Sequence, residues 1–289
     1  GVTTCDVMKS LVHQKMLCVT PPVSPRPRVV HETKGLLFVD KPAGLSFHAS
    51  AELNDPGIMP ILRQMCLSGE ISHDGRLFSV HRLDRVTSGL LMVAKTPEAA
   101  ADAAELLRER QLHKYYVALS GRKPSKKMGT VRGDMERSRR GQYKLLRSTH
   151  RPAVTTFVSE GIVLDGAAEE EALTAVRRAF VLKPLTGRTH QLRVALKSLG
   201  SPVLGDPMYA ASADAAKEER AYLHAAALRL PPNRRALSED GAPIDVVCMP
   251  TEGAAFQADA FVACWRRWFG DAMLRAPAGT SEWFAGTTV

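Results

Sequence analysis

The sequence of 289 residues lacks long apolar runs, cysteine pairs and cofactor motifs. No apolar run approaches the roughly 20 residues that a membrane-spanning helix needs. No apolar segment is followed by a small-residue cleavage site, so no secretory signal is predicted either. A Walker loop, a dinucleotide fingerprint and metal-type ligand spacing are also missing. We therefore expect a protein that does not enter a membrane and whose activity needs neither a metal nor a cofactor.

The five cysteines are scattered, without a CxxC pair or metal-type spacing. An odd, unpatterned set is typical of reduced thiols in an intracellular protein, and the sequence also lacks an N-x-S/T glycosylation site. The first 30 residues contain one acid, Asp6, and four bases: Lys9, Lys15, Arg26 and Arg28. We expect an intracellular protein, and the basic N-terminal end leaves open a cytoplasmic or an organellar (mitochondrial) location.

Acids are scarce in one stretch of the chain. Between Arg122 and Arg151 there are eleven bases and two acids, a net charge of 11 − 2 = +9, and the whole chain has 39 − 30 = +9. The rest of the chain is therefore neutral. A charge confined to one segment is typical of a surface that binds a polyanion, with a solubilising surface loop as the alternative. We call residues 122–151 the basic segment.

Predicted strands outnumber predicted helices and do not alternate with them one-to-one. This pattern favours an α+β domain with a mixed, largely antiparallel sheet and flanking helices over a doubly wound fold. The basic segment, interrupted by three glycines, is predicted to form turns and short strands as an outgrowth of that domain. We expect an N-terminal extension at 1–28, a single catalytic domain at 29–270, and a mobile Gly/Ala/Thr-rich tail at 271–289. We expect the protein to be monomeric.

Three segments carry side chains suited to chemistry. In the first, HRLDRVTSG, Asp84 stands between Arg82 and Arg85 on a predicted loop. Such an acid can be a surface ion pair, which contributes little to stability. It can also be a reactive carboxylate kept ionised by the neighbouring guanidinium groups.

The second segment, KPLTGRTHQLR, crowds polar and basic side chains at a predicted helix start, where free N–H groups and the helix dipole favour an anion. A capped helix with solvated charges is the alternative.

The third segment, KYYVAL, is a predicted strand on which Tyr115 and Tyr116 face opposite sides, so at most one of them points into a given cleft.

In order and spacing these segments resemble the RluA-type RNA pseudouridine synthases, which modify ribosomal and transfer RNA. The resemblance extends to FVDKPAGL, SLGSPVLGDPMY and YLHAAALRL and runs from about Val29 to Pro250. It implies a pseudouridine synthase fold and an isomerase that moves uracil from an N1 to a C5 glycosidic bond without a cofactor. The sequence departs from the family pattern at Ser201 and at Ala195-Leu196. We also expect no S4 RNA-binding module before the catalytic core, with the basic segment as its substitute.

The resemblance implies roles for individual residues. Asp84 takes the place of the essential aspartate, Tyr116 that of the active-site tyrosine, and Arg188 that of the base that pairs with the aspartate. The expected substrate-binding residues are His81, Arg82, Arg85, Lys114, His190, Gln191 and Arg193. Independently of the resemblance, the charge of the basic segment predicts contacts to the RNA backbone from Arg137, Arg139 and Arg140.

The chemistry of Asp84 stays open at this point. The carboxylate can attack the ribose or the base, or it can help to remove the C2′ proton and form a glycal. Two rival functions also remain: an inactive RNA-binding or assembly protein of the same fold, and a glycosidase. The second is disfavoured because such enzymes normally need two acids at the scissile bond.

Overall fold

The structure is a computed structural model that describes residues 26–163 and 176–270. The mobile tail expected at 271–289 and nearly all of the expected N-terminal extension lie outside the described residues. Within them, the strands are β1 (Arg28–Glu32), β2 (Leu36–Lys41), β3 (Phe78–Ser79), β4 (Ser88–Ala94), β5 (His113–Ser120), β6 (Met128–Gly133), β7 (Met135–Arg137), β8 (Tyr143–Leu145), β9 (Ala153–Val163), β10 (Val176–Pro184), β11 (Leu223–Leu230) and β12 (Ile244–Val247). The helices are α1 (Ile58–Leu67), α2 (Pro97–Arg108), α3 (Gln191–Ser198), α4 (Ser212–Ala215), α5 (Ala254–Gln257) and α6 (Asp259–Phe269).

Ten strands form one sheet in the order β1-β2-β4-β11-β5-β10-β9-β6, with β12 paired to β11 and β3 to β4. The pair β4–β11 is parallel, and the other pairs in this sheet are antiparallel. The strands β7 and β8 form a separate hairpin. The predicted α+β class with a mixed, largely antiparallel sheet is confirmed. The parallel pair joins segments more than a hundred residues apart, and it places the loop before β4 beside the centre of the sheet.

Helices cover both faces of the sheet. Residues along each strand alternate between these two faces. Tyr116 and Ala118 of β5 belong to a hydrophobic cluster that also contains residues of α1, α2 and α3. Tyr115 and Val117 belong to the opposite cluster, which packs under α6. The two tyrosines therefore point to opposite faces, as predicted, and Tyr116 lies on the side of α3.

The sequence predicts a helix in TPEAAADAAELLRER, with Thr96 as its cap, and one amphipathic helix in FQADAFVACWRRWFG. These two predictions have different outcomes. The helix after Thr96 is present as α2, and the Thr96 hydroxyl accepts a hydrogen bond from the Ala99 N–H at 3.1 Å. The single C-terminal helix predicted from FQADAFVACWRRWFG is wrong in detail. Ala258 is extended and separates α5 from α6. Asp259 then begins α6, where a negative charge suits the positive end of the helix dipole.

The basic segment forms short strands, as predicted. Its first part, β6, pairs with β9 at the edge of the sheet. Its second part, the β7–β8 hairpin, is held against the loop that precedes α4. The Gln142 amide donates to the Met208 carbonyl at 2.9 Å, and the Tyr143 N–H donates to the Tyr209 hydroxyl at 2.9 Å. Arg140 in the hairpin turn has a left-handed backbone (φ 53°), which favours glycine and is uncommon for arginine.

Candidate active site

Asp84 lies on the loop between β3 and β4 that was predicted from HRLDR. Two neighbours fix this loop to the core: Leu83 is 4% exposed, and the His81 imidazole accepts a hydrogen bond from the Met92 N–H at 3.1 Å. Burial lowers the pKa of His81 to about 3, so its ring is neutral and acts as an acceptor. The Asp84 side chain is 19% exposed and reaches the solvent-accessible space in front of the loop.

Lys41, at the end of β2, holds the Asp84 loop in place from behind. Its ammonium group is fully buried and donates to the carbonyl groups of Pro42 and Leu45, both at 2.8 Å, and of Arg85 at 3.4 Å. It therefore ties the turn after β2 to the residue that follows Asp84. Burial lowers the pKa of Lys41 from 10.5 to about 7, against the opposing effect of the Asp55 and Asp84 carboxylates.

This shift predicts how stability depends on pH. Between pH 7 and pH 10.5 the unfolded chain binds a proton that Lys41 has released in the folded chain, so the free energy of unfolding rises with pH in this window. One proton corresponds to about 1.4 kcal/mol per pH unit. We expect Lys41→Met to lose up to that slope, measured by urea unfolding at several pH values between 7 and 10. Equal slopes in the parent and the variant would contradict the shift.

The partner of Asp84 is Arg193, whose guanidinium nitrogen Nη1 lies 3.4 Å from the carboxylate. Arg193 is 3% exposed and is held in turn by Asp206, which accepts from Nε at 2.7 Å and from Nη2 at 2.8 Å. Asp206 is fully buried and also accepts the N–H groups of Met208 and Tyr209. The bidentate pair fixes the guanidinium plane, so that the third nitrogen faces Asp84.

The predicted pair between Asp84 and Arg188 is therefore wrong. Arg188 lies in the turn before α3, where its side chain is exposed and donates to the Arg151 carbonyl at 3.4 Å. The physical reason is the direction of the chain. His190 has a left-handed backbone (φ 57°), and the helix that starts after it turns Arg193, not Arg188, towards the sheet. Arg188 nevertheless lines the same cavity as Asp84.

Tyr116 reaches the same space from β5. It lines a cavity of about 370 Å³ together with Asp84, Lys114 and Arg188; we call this space the Tyr116 cavity. Burial raises the pKa of the Tyr116 hydroxyl, and the charge of Asp84 raises it further. The phenol therefore stays protonated at neutral pH and can donate a hydrogen bond but cannot serve as a base. Burial also lowers the pKa of the Lys114 ammonium group.

Gln191 was predicted to bind substrate, and the structure gives it a different role. Its side-chain oxygen accepts from the Thr186 hydroxyl and the Arg188 N–H, and its amide nitrogen donates to the Val154 carbonyl and the Thr155 hydroxyl. The side chain thereby joins the turn before α3 to β9. All its hydrogen-bonding positions are used, so it shapes the wall of the cavity and is not free to contact a ligand.

The other predicted residues lie in three places. Those at the wall of the Tyr116 cavity are His81, Arg82, Lys114, His190 and Arg193. Arg85 is turned away from this cavity, donating to the Gly44 carbonyl and pairing with Asp55 at 3.7 Å. Arg137, Arg139 and Arg140 are exposed on the β7–β8 hairpin and its turn.

Three residues of the site were missed from the sequence: Lys41, Asp206 and Tyr209. Each lies in a segment that carries the family resemblance, FVDKPAGL or SLGSPVLGDPMY, but no role was assigned to it. Tyr209 joins the basic segment to the site. Its hydroxyl hydrogen-bonds the His190 imidazole at 2.9 Å, and its ring lies 4.9 Å from the Arg193 guanidinium group. These roles depend on contacts between distant segments, and the local pattern gives no signal for them.

One group of side chains away from Asp84 has metal-type ligands. Asp40, His224 and Cys248 have ligand atoms within 4.8 Å of one another. These atoms are already engaged within the protein. The two ring nitrogens of His224 bond the Ser88 hydroxyl and the Cys248 carbonyl, and Arg28 pairs with Asp40 at 3.3 Å. We therefore interpret the group as a buried polar network between strands.

Comparison with known proteins agrees with this architecture. The RNA pseudouridylate synthase family matches residues 35–198. An "Uncharacterized RNA pseudouridine synthase" of Haemophilus influenzae is 37% identical over 225 residues, which are 78% of this chain and 88% of that protein. "Dual-specificity RNA pseudouridine synthase RluA" of Escherichia coli K12 is 34% identical over 213 residues, 73% of this chain and 89% of that protein. The chain belongs to the RluA-type RNA pseudouridine synthase family.

A solved structure supports the same membership. The human RNA pseudouridylate synthase domain containing 1 superposes with a TM-score of 0.60 at 25% identity, covering 89% of this synthase and 91% of that chain. The predicted pseudouridine synthase domain and its isomerase activity class are thereby confirmed. None of the helices in residues 26–163 and 176–270 of the synthase is long and apolar enough to span a membrane.

Proposed function

We propose that the synthase isomerises specific uridines in RNA to pseudouridine, with Asp84 as the catalytic carboxylate. The observation that carries this proposal is the position of Asp84. Its carboxylate is paired with a buried arginine, lies at the wall of a cavity, and has Tyr116 on another wall of the same cavity. The cavity volume of about 370 Å³ is sufficient for a base and its ribose.

The reaction needs no external group. The N1–C1′ bond of the uridine breaks, the uracil turns, and a C5–C1′ bond forms while the C5 proton is lost and N1 gains a proton. Atoms and electrons balance within the substrate and solvent. Asp84 is the only acid at the wall of the Tyr116 cavity among the described residues, so we assign to it either the attack on the sugar or base, or the removal of the C2′ proton.

Tyr116, Arg82 and Arg188 are the other residues of the proposed site to which we assign a role. The Tyr116 ring is positioned to stack on the detached uracil, and its protonated hydroxyl can donate to a uracil oxygen or ribose oxygen. Because the target base must leave its stack to reach Asp84, cations at the mouth of the cavity are expected to hold the flanking phosphates. Arg82 and Arg188, both exposed at the cavity wall, are suited to this task.

The contacts of the second nearby acid argue against a glycosidase. Asp206 lies on the other side of Arg193, but it is fully buried and its oxygens accept from Arg193, Met208 and Tyr209. It has no access to a substrate and cannot act as a second general acid or base. The same buried pair disfavours an inactive RNA-binding protein. Arg193 and Asp206 hold the Asp84 carboxylate in position, and RNA binding alone does not require a positioned carboxylate.

Mapping of pseudouridines tests the proposal. We expect profiles of cellular RNA with and without the synthase to differ at one or a few uridines, and a short RNA containing such a uridine to be converted by the purified protein. Release of free uracil from that RNA would indicate a hydrolase. Unchanged profiles together with RNA binding would indicate the inactive alternative.

The resemblance points to ribosomal or transfer RNA as the substrate class, and both RNAs are found inside cells. We therefore propose an intracellular place of action, in the cytoplasm, since the comparisons give the organellar alternative no support. We also propose that the synthase acts as a monomer, because Asp84, Arg193 and Tyr116 all come from one chain and the site needs no second copy.

Chelation tests the prediction that no metal is needed. We expect turnover of the mapped RNA to survive dialysis against EDTA at constant ionic strength and to need no added nucleotide, because Arg193 rather than a metal ion stabilises the Asp84 carboxylate. Loss of activity in EDTA that zinc restores, and that added salt does not, would reveal a missed ligand set. The candidates would then be Asp40, His224 and Cys248.

We further propose that the basic segment holds the phosphates of the RNA. Three of its arginines, Arg137, Arg139 and Arg140, are exposed on the β7–β8 hairpin, which is fixed to the active-site wall through Tyr143 and Tyr209. The three cations are thus carried on an element with a defined position relative to Asp84. A solubilising loop would need no such attachment.

The salt dependence of binding measures how many phosphates these arginines neutralise. Replacing Arg137, Arg139 and Arg140 together by Ala is expected to raise the apparent KM at moderate salt and to spare single-turnover chemistry at saturating RNA. For each phosphate that is no longer neutralised, the slope of log affinity against log salt falls by roughly 0.7–0.9. The matched control is Arg26, Arg63 and Arg76 changed together to Ala, since these exposed arginines lie outside the Tyr116 cavity and outside the basic segment. An unchanged slope and affinity in the hairpin variant would refute the proposal.

A further inference from the structure

Asp84 lies between two cavities, and the proposed chemistry uses one of them. The second cavity has a volume of about 850 Å³ and shares Arg82, Leu83, Asp84, His190 and Arg193 with the Tyr116 cavity. We call it the Arg140 cavity, because Arg140 from the turn of the basic hairpin lies at its wall. Its volume is more than twice that of the Tyr116 cavity, so it has room for a nucleotide in addition to the target uridine.

Cations from three separate segments surround the Arg140 cavity. Arg82 and Arg85 come from the Asp84 loop, Arg140 from the hairpin turn and Lys197 from α3, and all four are exposed. The charge of Arg85 is matched by a nearby acid, Asp55. The excess positive charge around an otherwise open space predicts an anionic occupant, and a phosphate group next to the target uridine carries that charge.

The cavity also has an aromatic and apolar side. The exposed imidazole of His48 packs edge-on against the buried Phe47 ring, with centroids 4.8 Å apart and an interplanar angle of 83°. Leu53, 51% exposed, and Met208 lie at the same wall. An exposed ring supported from behind by a buried one offers a flat surface on which a base can stack. Phosphate-binding cations alone would not require this surface.

We propose that the Arg140 cavity is a second base-binding subsite, which takes an unstacked nucleotide directly adjacent to the target uridine, with the base stacked on His48 and its phosphate held by Arg140 and Lys197. The proposal rests on the proposed function, because the shared position of Asp84 defines which nucleotide is the target. It assigns to His48 a role in substrate binding and specificity. The hydrogen bonds of Gln142 and Tyr143 to the wall of this cavity keep Arg140 at its edge.

The test uses the RNA fragment whose target uridine has been mapped, together with two versions in which the nucleotide on the 5′ or the 3′ side of the target is abasic. We expect one of the abasic RNAs to have a KM raised by about tenfold, the cost of losing one stacked base, with kcat nearly unchanged. His48→Ala is expected to raise KM for the intact RNA by a similar factor. For the abasic RNA whose KM is already raised, His48→Ala should not raise KM any further.

His48→Phe separates stacking from other roles of the imidazole, since the larger ring keeps the stacking surface and is expected to restore KM to near the parent value. His31→Ala is the matched control, because His31 is an exposed histidine on the edge strand β1 outside both cavities. Parent-like KM values for both abasic RNAs would overturn the subsite. So would independent, multiplying effects of His48→Ala and the abasic change. Absence of pseudouridine in the intact RNA would instead overturn the proposed function.

Discussion

Replacing Asp84 by Asn is expected to abolish pseudouridine formation while leaving folding and RNA affinity nearly unchanged. The amide keeps the size and shape of the side chain but removes its charge and its nucleophilic or basic oxygen. Loss of a group that takes part in bond formation typically lowers kcat by a factor of about 10⁴ or more. Single-turnover conversion of the mapped RNA at saturating enzyme measures this loss without interference from binding.

Asp74→Asn is the matched control for this substitution. Asp74 is also a loop aspartate near basic and histidine side chains, but it is 61% exposed and lies at neither cavity. We expect this variant to have parent-like activity. Turnover by the Asp84 variant at a substantial fraction of the parent rate would show that another residue performs the chemistry.

Replacing Arg193 by Met is expected to be nearly as damaging to catalysis and also to destabilise the fold. The change removes the partner of Asp84, and it leaves the fully buried Asp206 carboxylate without its cation. Breaking one side of a buried ion pair costs about 3–5 kcal/mol. A catalytic defect could therefore be mistaken for unfolding, and a second variant is needed to separate the two effects.

The double variant Arg193→Met with Asp206→Asn provides that separation. It removes both buried charges, and the Asn oxygen can still accept the Met208 and Tyr209 N–H groups. We expect urea unfolding to show that much of the stability returns, while single-turnover activity does not. Arg188→Met is the comparison that matters most: it should raise KM but leave chemistry at saturating RNA almost intact. The reverse result, with Arg188 essential for chemistry and Arg193 dispensable, would restore the pairing expected from the sequence.

The error over Arg188 illustrates what a local pattern can and cannot decide. Both arginines belong to the same segment, KPLTGRTHQLR, and both are close to a helix start. Which one meets Asp84 depends on where α3 begins and on the left-handed backbone at His190. A periodic pattern predicts that a helix exists more reliably than it predicts the residue at which the helix starts. One residue along a helix corresponds to about 100° of rotation, so small errors in the start change which side chain faces inward.

Gln191 and Asp206 show a related limit. Polar side chains near a site can contact substrate or build the wall that positions other residues, and their identities alone do not separate these roles. Gln191 bonds Thr186, Val154 and Thr155, two of which lie more than 30 residues away in sequence. Burial of such groups requires that their hydrogen bonds be satisfied, and their partners are supplied only when the sheet has formed.

The sequence by itself determined most of the helices and strands, the fold class and the Asp84 loop, because these depend on short-range patterns: alternating apolar residues, the Thr96 cap, and an acid placed between two arginines. It also located the positive charge in residues 122–151, since charge can be counted without coordinates. The tertiary structure alone decided that Arg193 pairs with Asp84, that Lys41 and Asp206 support the pair, and that the basic hairpin docks on Tyr209 beside a second cavity. Those contacts join segments far apart in the chain, and their geometry is fixed by the packing of the sheet and its helices.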